Sequence, residues 1–310
     1  ESVIFKPTTP AILVLGGINM GLITRTERMP APGETLRGDG FFSSPGGKGA
    51  TQAVAAARHG AKVKMIGRVG DDVFGPTLLE ALRSNGINVS DVSIDTESAS
   101  GVGVIIVDNK GQNHILATYG ANLRCDNDQL GALEAALPNY DVLLLQMEIP
   151  FDVSIQAAQT AKNYGTRVIL DPAPAAPIPK TVFTLFDIIA PNQTEAEFHT
   201  GIVVNDVDSA AQAADILLER GVSTAVIKMA ELGVFYRSRE TEGFVPPFPV
   251  QAVDTTSAGD AFHGALAVAL AEGKNMDDAV RYGAAAGALA VTRPGVQDSM
   301  PLRVEVEAML

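Results

Sequence analysis

The sequence predicts an α/β fold in which a central, mostly parallel β-sheet is covered by helices on both faces. Short, continuous apolar runs recur along the chain, as expected for strands buried on both faces of a parallel sheet. Between most of these runs lie longer stretches in which apolar residues recur at helical spacing. Strand and helix signals that alternate in this way are typical of a parallel sheet with helices on both sides.

The first strand is predicted at Ala11–Leu15, an apolar run that ends at Gly16-Gly17. Similar runs predict the later strands, at Val63–Ile66, Val142–Leu145, Val168–Leu170, Ile188–Ala190 and Ala225–Ile227. Helical periodicity predicts connecting helices at Ala50–His59, Phe74–Asn85, Ser154–Tyr164 and Ala210–Arg220.

Two regions interrupt the alternation. Residues 22–44 and 101–119 lack helical periodicity and carry glycine, threonine, valine and isoleucine. In the second region, Val102–Val107 and His114–Thr118 flank Asn109-Lys110-Gly111, which predicts a β-hairpin. We therefore expect a small antiparallel β lid, built from about residues 20–45 and 98–120, on a single domain over residues 1–310.

The composition favours small-molecule partners. The formal net charge of −13 over 310 residues argues against general binding to nucleic acid or to anionic lipid. The sequence contains no apolar run of membrane-spanning length and no secretory signal pattern, so no membrane partner is expected. The single cysteine, Cys125, fits a reducing compartment, and a cytoplasmic location is the expectation.

A glycine-rich turn at Ser44–Gln52 leads into the first predicted helix. Its glycines allow the backbone to approach a ligand closely, and a helix start offers unpaired N–H groups. The spacing differs from that of a Walker A loop. The turn is either a ligand site or simply the start of a helix, and the pattern alone does not choose between them.

The stretch Asp254–Phe262 carries the strongest functional signal. Ser257-Ala258-Gly259 predicts a tight turn into a helix, and its outward N–H groups make an anion site. Asp260 follows at once, which places a carboxylate beside the bound anion. A base next to a phosphate cradle is what phosphoryl transfer to a hydroxyl requires.

Three other carboxylates follow predicted strands, where ligands bind in open α/β sheets. They are Glu148, Asp171 and Glu195. Glu195 lies in Asn192-Gln193-Thr194-Glu195, which also reads as an ordinary helix N-terminal cap. Glu148 and Asp171 are either site residues or solvated loop residues.

Taken together, these motifs resemble those of the ribokinase family, the PfkB-type carbohydrate kinases. The matches run in family order over nearly the whole chain, and the ordered set is far more specific than any one motif. They are Gly17-Ile18-Asn19, Pro32–Thr35, Gly46–Ala50, Gly67–Asp72, Gly120-Ala121-Asn122, Asn192–Glu197, Asp254–Asp260 and Val291–Gly295.

The resemblance implies a ribokinase-like fold, with a central mostly parallel sheet, helices on both faces and a small β-sheet lid. It also implies ATP-dependent phosphorylation of the primary hydroxyl of ribose or a related sugar, with Mg²⁺ accompanying ATP and K⁺ as an activating cation. The expected partners are therefore ATP, a small sugar and a second copy of the chain, joined through the lid.

The resemblance also assigns roles to matching positions. Asp260 is the implied base, and the backbone of Ala258 and Gly259 is the implied anion hole. The implied sugar contacts are Asn19, Gly21, Gly47, Lys48, Thr51, Glu148 and Asp260. The implied nucleotide contacts are Asn192, Glu195, Lys228, Gly233 and Gly259, with Glu195 holding Mg²⁺ through water. The implied K⁺ ligands are Asp254, the backbone of Thr256, Ala290, Arg293 and Gly295, and Ser299.

Four positions depart from the family pattern. Gly21 stands where an aspartate usually grips two sugar hydroxyls, and Thr51 replaces a second sugar-binding amide. Lys228 replaces a hydroxyl residue of the nucleotide loop, and Ala230 replaces a glycine there. Whether Lys228 contacts phosphate or points elsewhere stays open at this point.

Three hypotheses follow. The first is an active sugar kinase whose pocket favours a sugar other than ribose. The second is a non-catalytic protein that binds sugar or nucleotide on a kinase scaffold, because fold does not guarantee function. The third is a nucleoside kinase in which the apolar Met20 covers a base.

Overall fold

The computed structural model of the chain describes residues 9–110 and 113–310. Its strands are Ala11–Leu15 (β1), Asn19–Arg25 (β2), Phe41–Gly46 (β3), Lys62–Gly70 (β4), Asn88–Asp95 (β5), Gly101–Val107 (β6), Asn113–Thr118 (β7), Val142–Leu145 (β8), Arg167–Leu170 (β9), Ile188–Ile189 (β10), Thr224–Lys228 (β11), Val234–Ser238 (β12) and Glu242–Val245 (β13). Its helices are Lys48–Arg58 (α1), Gly75–Ser84 (α2), Asn127–Ala136 (α3), Phe151–Asn163 (α4), Gln193–Thr200 (α5), Val207–Glu219 (α6), Ala258–Ala271 (α7), Met276–Ala290 (α8) and Arg303–Met309 (α9).

The main sheet confirms the predicted fold class. Its nine strands run in the order β13-β12-β11-β10-β9-β8-β1-β4-β5. All pairs from β11 to β5 are parallel, whereas β12 and β13 add an antiparallel edge. Every predicted strand of this sheet is present, with ends that differ by a few residues at most.

Strand β1 shows why the sheet must be covered on both faces. Ile12 and Val14 pack into one hydrophobic cluster, together with residues of α1, α7 and α8. Leu13 and Leu15 pack into a second cluster, with residues of α3, α4 and α6. Alternate side chains of a strand point to opposite faces, so a continuous apolar run supplies both cores at once. Among the described residues, none of the helices is long and apolar enough to cross a bilayer.

A second sheet of four strands lies beside the main one, in the order β3-β2-β6-β7. The predicted hairpin is confirmed, because β6 and β7 pair antiparallel. The predicted turn Asn109-Lys110-Gly111 reaches residue 111, which lies outside the described residues. The expectation of a wholly antiparallel sheet is wrong, because the central pair β2 and β6 is parallel. Both strands leave the same edge of the main sheet, β2 after β1 and β6 after β5, and therefore run in the same direction.

Helices α1 and α7 pack unusually closely, and Gly264 makes this approach possible. A Cβ atom at Gly264 would lie 2.4 Å from the Cβ of Ala55 and 2.8 Å from the carbonyl oxygen of Gln52. Such distances are far below van der Waals contact, so only glycine fits. The close packing brings the first turns of both helices to the carboxyl edge of the main sheet.

We predict that Gly264→Ala lowers the free energy of unfolding by about 1–3 kcal/mol, because the added methyl group overpacks the α1–α7 interface. The matched control is Gly131→Ala in α3, where an added Cβ meets nothing within 4 Å. This control is expected to raise stability by up to about 1 kcal/mol, through reduced freedom of the unfolded chain. Urea unfolding measures both changes, and equal stabilities for the two variants would contradict the packing argument.

Candidate active site

The polar site lies where the parallel strands of the main sheet end and helices α1 and α7 begin. Glu148 follows β8, Asp171 follows β9 directly, and Lys228 is the last residue of β11. Asp260 lies in the first turn of α7. The structure therefore brings together carboxylates and cations that are far apart in the sequence, at the edge where α/β sheets bind ligands.

The start of α1 is tied to the ends of β1 and β8. Gly47 has a φ of 90°, and a Cβ at Gly49 would lie 2.8–2.9 Å from the backbone of Gly16 and Gly17, so glycine is required at both positions. The N–H of Lys48 donates to Oε2 of Glu148 at 2.8 Å, and the N–H of Ala50 donates to the Gly17 carbonyl at 3.0 Å. These two amides are satisfied by the protein, so a ligand at this turn would be contacted by other groups.

The start of α7 is different. Within the described residues, the N–H groups of Gly259 and Asp260 have no hydrogen-bond acceptor, and that of Ala258 makes only a 3.5 Å contact with the Thr255 carbonyl. The side chain of Ser257 does not cap the helix, and its Oγ is buried without a partner. Unpaired amides at a helix start form an anion site.

The carboxylates of the site titrate unusually. Burial raises the pKa of Asp260 to about 6, with Asp171 adding to the rise and Lys48 opposing it. Burial also raises the pKa of Glu148 to about 7, against the pull of Lys48. For Lys48, burial alone would lower the pKa of the ammonium, but the surrounding carboxylates, Asp260 first, raise it. A base whose pKa lies close to neutral pH suits proton transfer.

Gln52 connects the base to a second carboxylate, a contact that the sequence analysis missed. Its Nε2 lies 3.0 Å from Oδ1 of Asp260 and 2.9 Å from Oδ2 of Asp171. Gln52 belongs to the predicted glycine-rich turn, but no role was assigned to it. Its partners are 119 and 208 residues away in the sequence, so only the fold reveals the contact.

Asn19 has a fixed orientation, which is set by another residue without an assigned role. The Nδ2 of Asn122 donates to Oδ1 of Asn19 at 2.8 Å, while Oδ1 of Asn122 accepts from the N–H of Ile18 at 2.9 Å. With its oxygen engaged, Asn19 presents its amide hydrogens to a ligand. The sequence signal for Asn122 was the motif Gly120-Ala121-Asn122.

Gly21 and Thr51, the two residues that depart from the family pattern at implied sugar contacts, have closely packed surroundings. Gly21 lies on the same face of β2 as Asn19, and a Cβ there would lie 3.3 Å from Cδ1 of Ile23 and 3.2 Å from the Ser44 carbonyl. Thr51 is fully buried, and its Oγ1 has no partner among the described residues.

Met20 points into the protein. Its side chain is 1% exposed and belongs to the hydrophobic cluster on the α1 face of the main sheet. The interpretation that Met20 covers a nucleobase is therefore wrong.

Asn192 and Glu195 form the helix cap that the sequence left as one of two alternatives. The Asn192 side chain accepts from the Glu195 N–H, and Oε2 of Glu195 accepts from the Asn192 N–H at 2.8 Å. The other oxygen, Oε1, accepts from Nδ2 of Asn192 at 2.9 Å. Burial raises the pKa of Glu195, and the nearby charge of Asp171 adds to this.

The side chain of Lys228 points into the site. Its Nζ lies 3.7 Å from Oδ1 of Asp171, and a Cβ at Gly259 would lie 3.3 Å from the same nitrogen. The ammonium is therefore next to the unpaired amides of α7. The neighbouring Ala230 has a φ of 50°, and Gly233 has a φ of 97°. Ala230 therefore adopts the left-handed conformation that a glycine would take without strain.

The loop of Asp254 meets the segment after α8. Both Val253 and Asp254 donate their N–H groups to the Val291 carbonyl, at 2.7 and 3.1 Å. Oδ1 of Asp254 accepts from the N–H of Thr256 at 3.0 Å, and Oδ2 faces the N–H of Gly295 at 3.4 Å.

Three other residues predicted at the cation site also make contacts within the protein. The Arg293 guanidinium pairs with Glu305, the Ala290 carbonyl accepts from the Arg293 N–H, and Ser299 Oγ donates to the Val296 carbonyl. Among the described residues, Asp254 has no cationic partner.

Comparisons with known proteins identify the family of the chain. Residues 9–303 match the model of the pfkB family of carbohydrate kinases. A ribokinase of Haemophilus influenzae is 40% identical over 294 residues, covering 95% of this chain and 96% of the relative. A deoxyribokinase of Salmonella typhi is 36% identical over 291 residues, covering 94% of this chain and 95% of the relative.

Solved structures also resemble this chain over nearly its full length. The structure of an Arabidopsis thaliana ribokinase complexed with ribose and ATP superimposes with a TM-score of 0.90 at 32% identity, covering 97% of this chain and 99% of that one. Family model, relatives and fold agree over nearly the full length of the chain. The chain therefore belongs to the pfkB family of carbohydrate kinases.

Proposed function

We propose that this protein transfers the terminal phosphoryl group of ATP to the primary hydroxyl of ribose or a related sugar. The observation that carries the proposal is the start of α7, where a buried carboxylate with a raised pKa lies beside unpaired backbone amides. The similarity to ribokinases over nearly the whole chain supports the same reaction.

In this proposal Asp260 takes the proton from the attacking hydroxyl. The amides of Gly259 and its neighbours Ala258 and Asp260 stabilise the charge on the transferred phosphoryl group. The Lys228 ammonium, next to these amides, adds a positive charge at the same place. Phosphoryl transfer depends mainly on positioning and charge stabilisation, and these groups supply both.

The nucleotide is proposed to lie against Asn192, Glu195, Lys228, Gly233 and Gly259. Magnesium bound with ATP would neutralise charge on the phosphates. Both oxygens of Glu195 are already engaged in the helix cap, so a contact through a water of the ion fits better than direct ligation. The charge of Asp171 raises the pKa of the neighbouring Glu195. A bound cation would offset the negative charge of these two carboxylates.

A monovalent cation is proposed at the loop of Asp254. The Asp254 carboxylate supports this proposal, because among the described residues it has no cationic partner and accepts only hydrogen bonds, from Thr256 and Gly295. Ala290 and Arg293 are proposed to contribute backbone carbonyls and Ser299 its hydroxyl, while the Arg293 guanidinium pairs with Glu305.

The acceptor pocket is proposed to include Asn19, Gly21, Gly47, Lys48, Thr51 and Glu148. The atoms nearest to a Cβ at Gly21 would be the Ser44 carbonyl oxygen and the terminal carbons of Ile23 and Ile105, and none of them is a carboxylate. A sugar that lacks one hydroxyl is therefore a second candidate acceptor, and the similarity to a deoxyribokinase supports it.

The second sheet is proposed to act as a lid and to join two copies of the chain. Its strands expose several large apolar side chains: Phe41, Phe42, Val104, Ile115 and Leu116. Such a patch favours burial against a second copy. Light scattering tests the assembly, and a monomeric mass at micromolar concentration would exclude it. The cytoplasmic location stays a prediction, which cell fractionation tests.

We predict that Asp260→Asn lowers kcat for sugar phosphorylation by roughly 10²–10⁴-fold, because the amide cannot accept the hydroxyl proton. Coupled detection of ADP measures the rate. The control is Asp152→Asn, an exposed residue in the first turn of α4, which is expected to leave kcat unchanged. An unmodified protein that binds ATP and sugar without any turnover would instead support a non-catalytic binding role.

We predict that Gly21→Asp lowers the KM for ribose by roughly tenfold to a hundredfold, the range expected for one charge-assisted hydrogen bond. The KM for 2-deoxyribose should change less if the new carboxylate grips the hydroxyl that this sugar lacks. Gly131→Asp adds the same charge in open space on α3 and is expected to change neither KM. An unchanged ribose KM in Gly21→Asp would place position 21 outside the acceptor pocket.

We predict that replacing K⁺ by tetramethylammonium lowers kcat/KM by about fivefold or more, a modest coupling between two sites. Asp254→Asn should weaken this response to K⁺, because the anionic ligand is lost. Asp208→Asn, an exposed carboxylate in the first turn of α6, should retain the full response. Activity that is independent of K⁺ in the unmodified protein would exclude the cation site.

A further inference from the structure

A chain of buried polar side chains leads away from Asp260 and ends at Lys228 and His263. Gln146 donates its Nε2 to Oε1 of Gln52 at 2.8 Å, and Gln52 donates to both Asp171 and Asp260. Gln146 and Gln52 have no exposed surface, Asp171 is 2% exposed and Asp260 is 7% exposed. Burying a polar side chain costs free energy unless it is hydrogen-bonded.

The amide of Gln52 has only one chemically consistent orientation. Its nitrogen lies between two carboxylate oxygens, which accept hydrogen bonds and cannot donate them when ionised. The two amide hydrogens match these two acceptors, while Oε1 accepts the hydrogen of Gln146. Any rotation of the amide would place oxygen against oxygen, so the surrounding groups fix Gln52.

This contact makes the two oxygens of Asp260 different. Oδ1 accepts from Gln52 at 3.0 Å, whereas Oδ2 has no hydrogen-bond partner within residues 9–110 and 113–310. Rotation of a carboxylate about its last bond is soft and roughly two-fold, so an unanchored aspartate exchanges its oxygens. An anchored one presents the same oxygen to the substrate in every turnover.

Asp171 holds Gln52 from the other side and carries a charge of its own. Its Oδ1 faces the Nζ of Lys228 and the Nε2 of His263, each at 3.7 Å. Burial opposes ionisation of Asp171, but the groups around it hold its pKa below the ordinary value.

His263 is neutral near pH 7, because burial lowers its pKa to about 4. Its Nδ1 lies 2.7 Å from the Gly259 carbonyl, so the proton of the ring is on that nitrogen. The full positive charges that act on Asp171 are therefore those of Lys228 and Lys48.

We propose that Gln52, held in place by Asp171, is a positioning residue that anchors Oδ1 of Asp260 and so assigns Oδ2 as the atom that accepts the proton. This inference rests on the proposed function. In the step, the acceptor O–H proton passes to Oδ2 and the hydroxyl oxygen forms its bond to the terminal phosphorus of ATP. The bond from that phosphorus to the bridging oxygen breaks, and ADP leaves with that electron pair.

The charged groups around Asp260 make the proposal testable by pH. They are Lys48 from α1, Glu148 after β8, Asp171 after β9 and Lys228 from β11, while the neutral His263 lies on the same helix. Asp171 raises the pKa of Asp260, and the two lysines and the Gln52 hydrogen bond lower it. The base works only when ionised, so kcat/KM falls as the pH drops below this pKa.

The experiment compares Gln52→Met and Asp171→Asn with the unmodified protein, using ribose and Mg-ATP. Gln52→Met removes the donor between two carboxylates, so kcat is expected to fall roughly 10- to 100-fold, part of the usual contribution of a positioned base. The acid limb of its kcat/KM profile should move to higher pH. Asp171→Asn removes a negative charge but retains an oxygen for Gln52, so its acid limb should move to lower pH.

Opposite shifts of the acid limb are the signature of the proposal, because general loosening of the site would not produce them. The matched control is Gln156→Met, an exposed glutamine of α4, which is expected to retain the unmodified profile. The KM for ATP, measured alongside, should change less than about threefold in all three variants if only the base is affected.

Three results would overturn the inference. The first is unchanged kcat in Gln52→Met, and the second is a shift of both acid limbs in the same direction. The third is an unshifted acid limb in Asp171→Asn, which decides the question if Gln52→Met does not fold. An unmodified protein without turnover would refute the proposed function itself, whereas normal turnover with insensitive variants refutes only this positioning role.

Discussion

The burial of several carboxylates in one place is the constraint on which the site depends. Glu148, Asp171, Glu195 and Asp260 all act on the ammonium of Lys48, and burial disfavours the charged form of each of them. Buried charges persist only when they are paired or hydrogen-bonded. The lysines, the helix cap of Glu195 and the amide of Gln52 supply most of these partners. In the part of the chain that the structure describes, Oδ2 of Asp260 is left without a hydrogen bond.

That charge cluster requires backbones to approach unusually closely, and glycine supplies the space. Gly49 lets α1 start against the end of β1, and Gly264 lets α7 lie against α1. The first contact places Lys48 beside Glu148, and the second brings Gln52 to Asp260. Packing and electrostatics are therefore not separate features here, because the hydrogen-bond distances exist only at this helix spacing.

The sequence predicted what is encoded locally. The buried strands and the start of α7 are each visible within about ten residues, because apolar runs and turn residues act over that range. Strand β5 was missed because half of it is polar, as expected for an edge strand. The parallel pairing of β2 with β6, and the contact of Gln52 with Asp260, join distant segments. Both depend on topology, which no local pattern contains.

The substitutions that set this chain apart are not equivalent in physical terms. At Gly21 the usual carboxylate is absent, so in the proposed acceptor pocket this position would change which sugar is recognised. Lys228 instead adds a charge next to Asp171 and the unpaired amides of α7, so it acts on the phosphoryl side. The lysine compensates the buried Asp171, whose charge in turn raises the basicity of Asp260. The acceptor pocket can therefore diverge while the charge balance around the base is preserved.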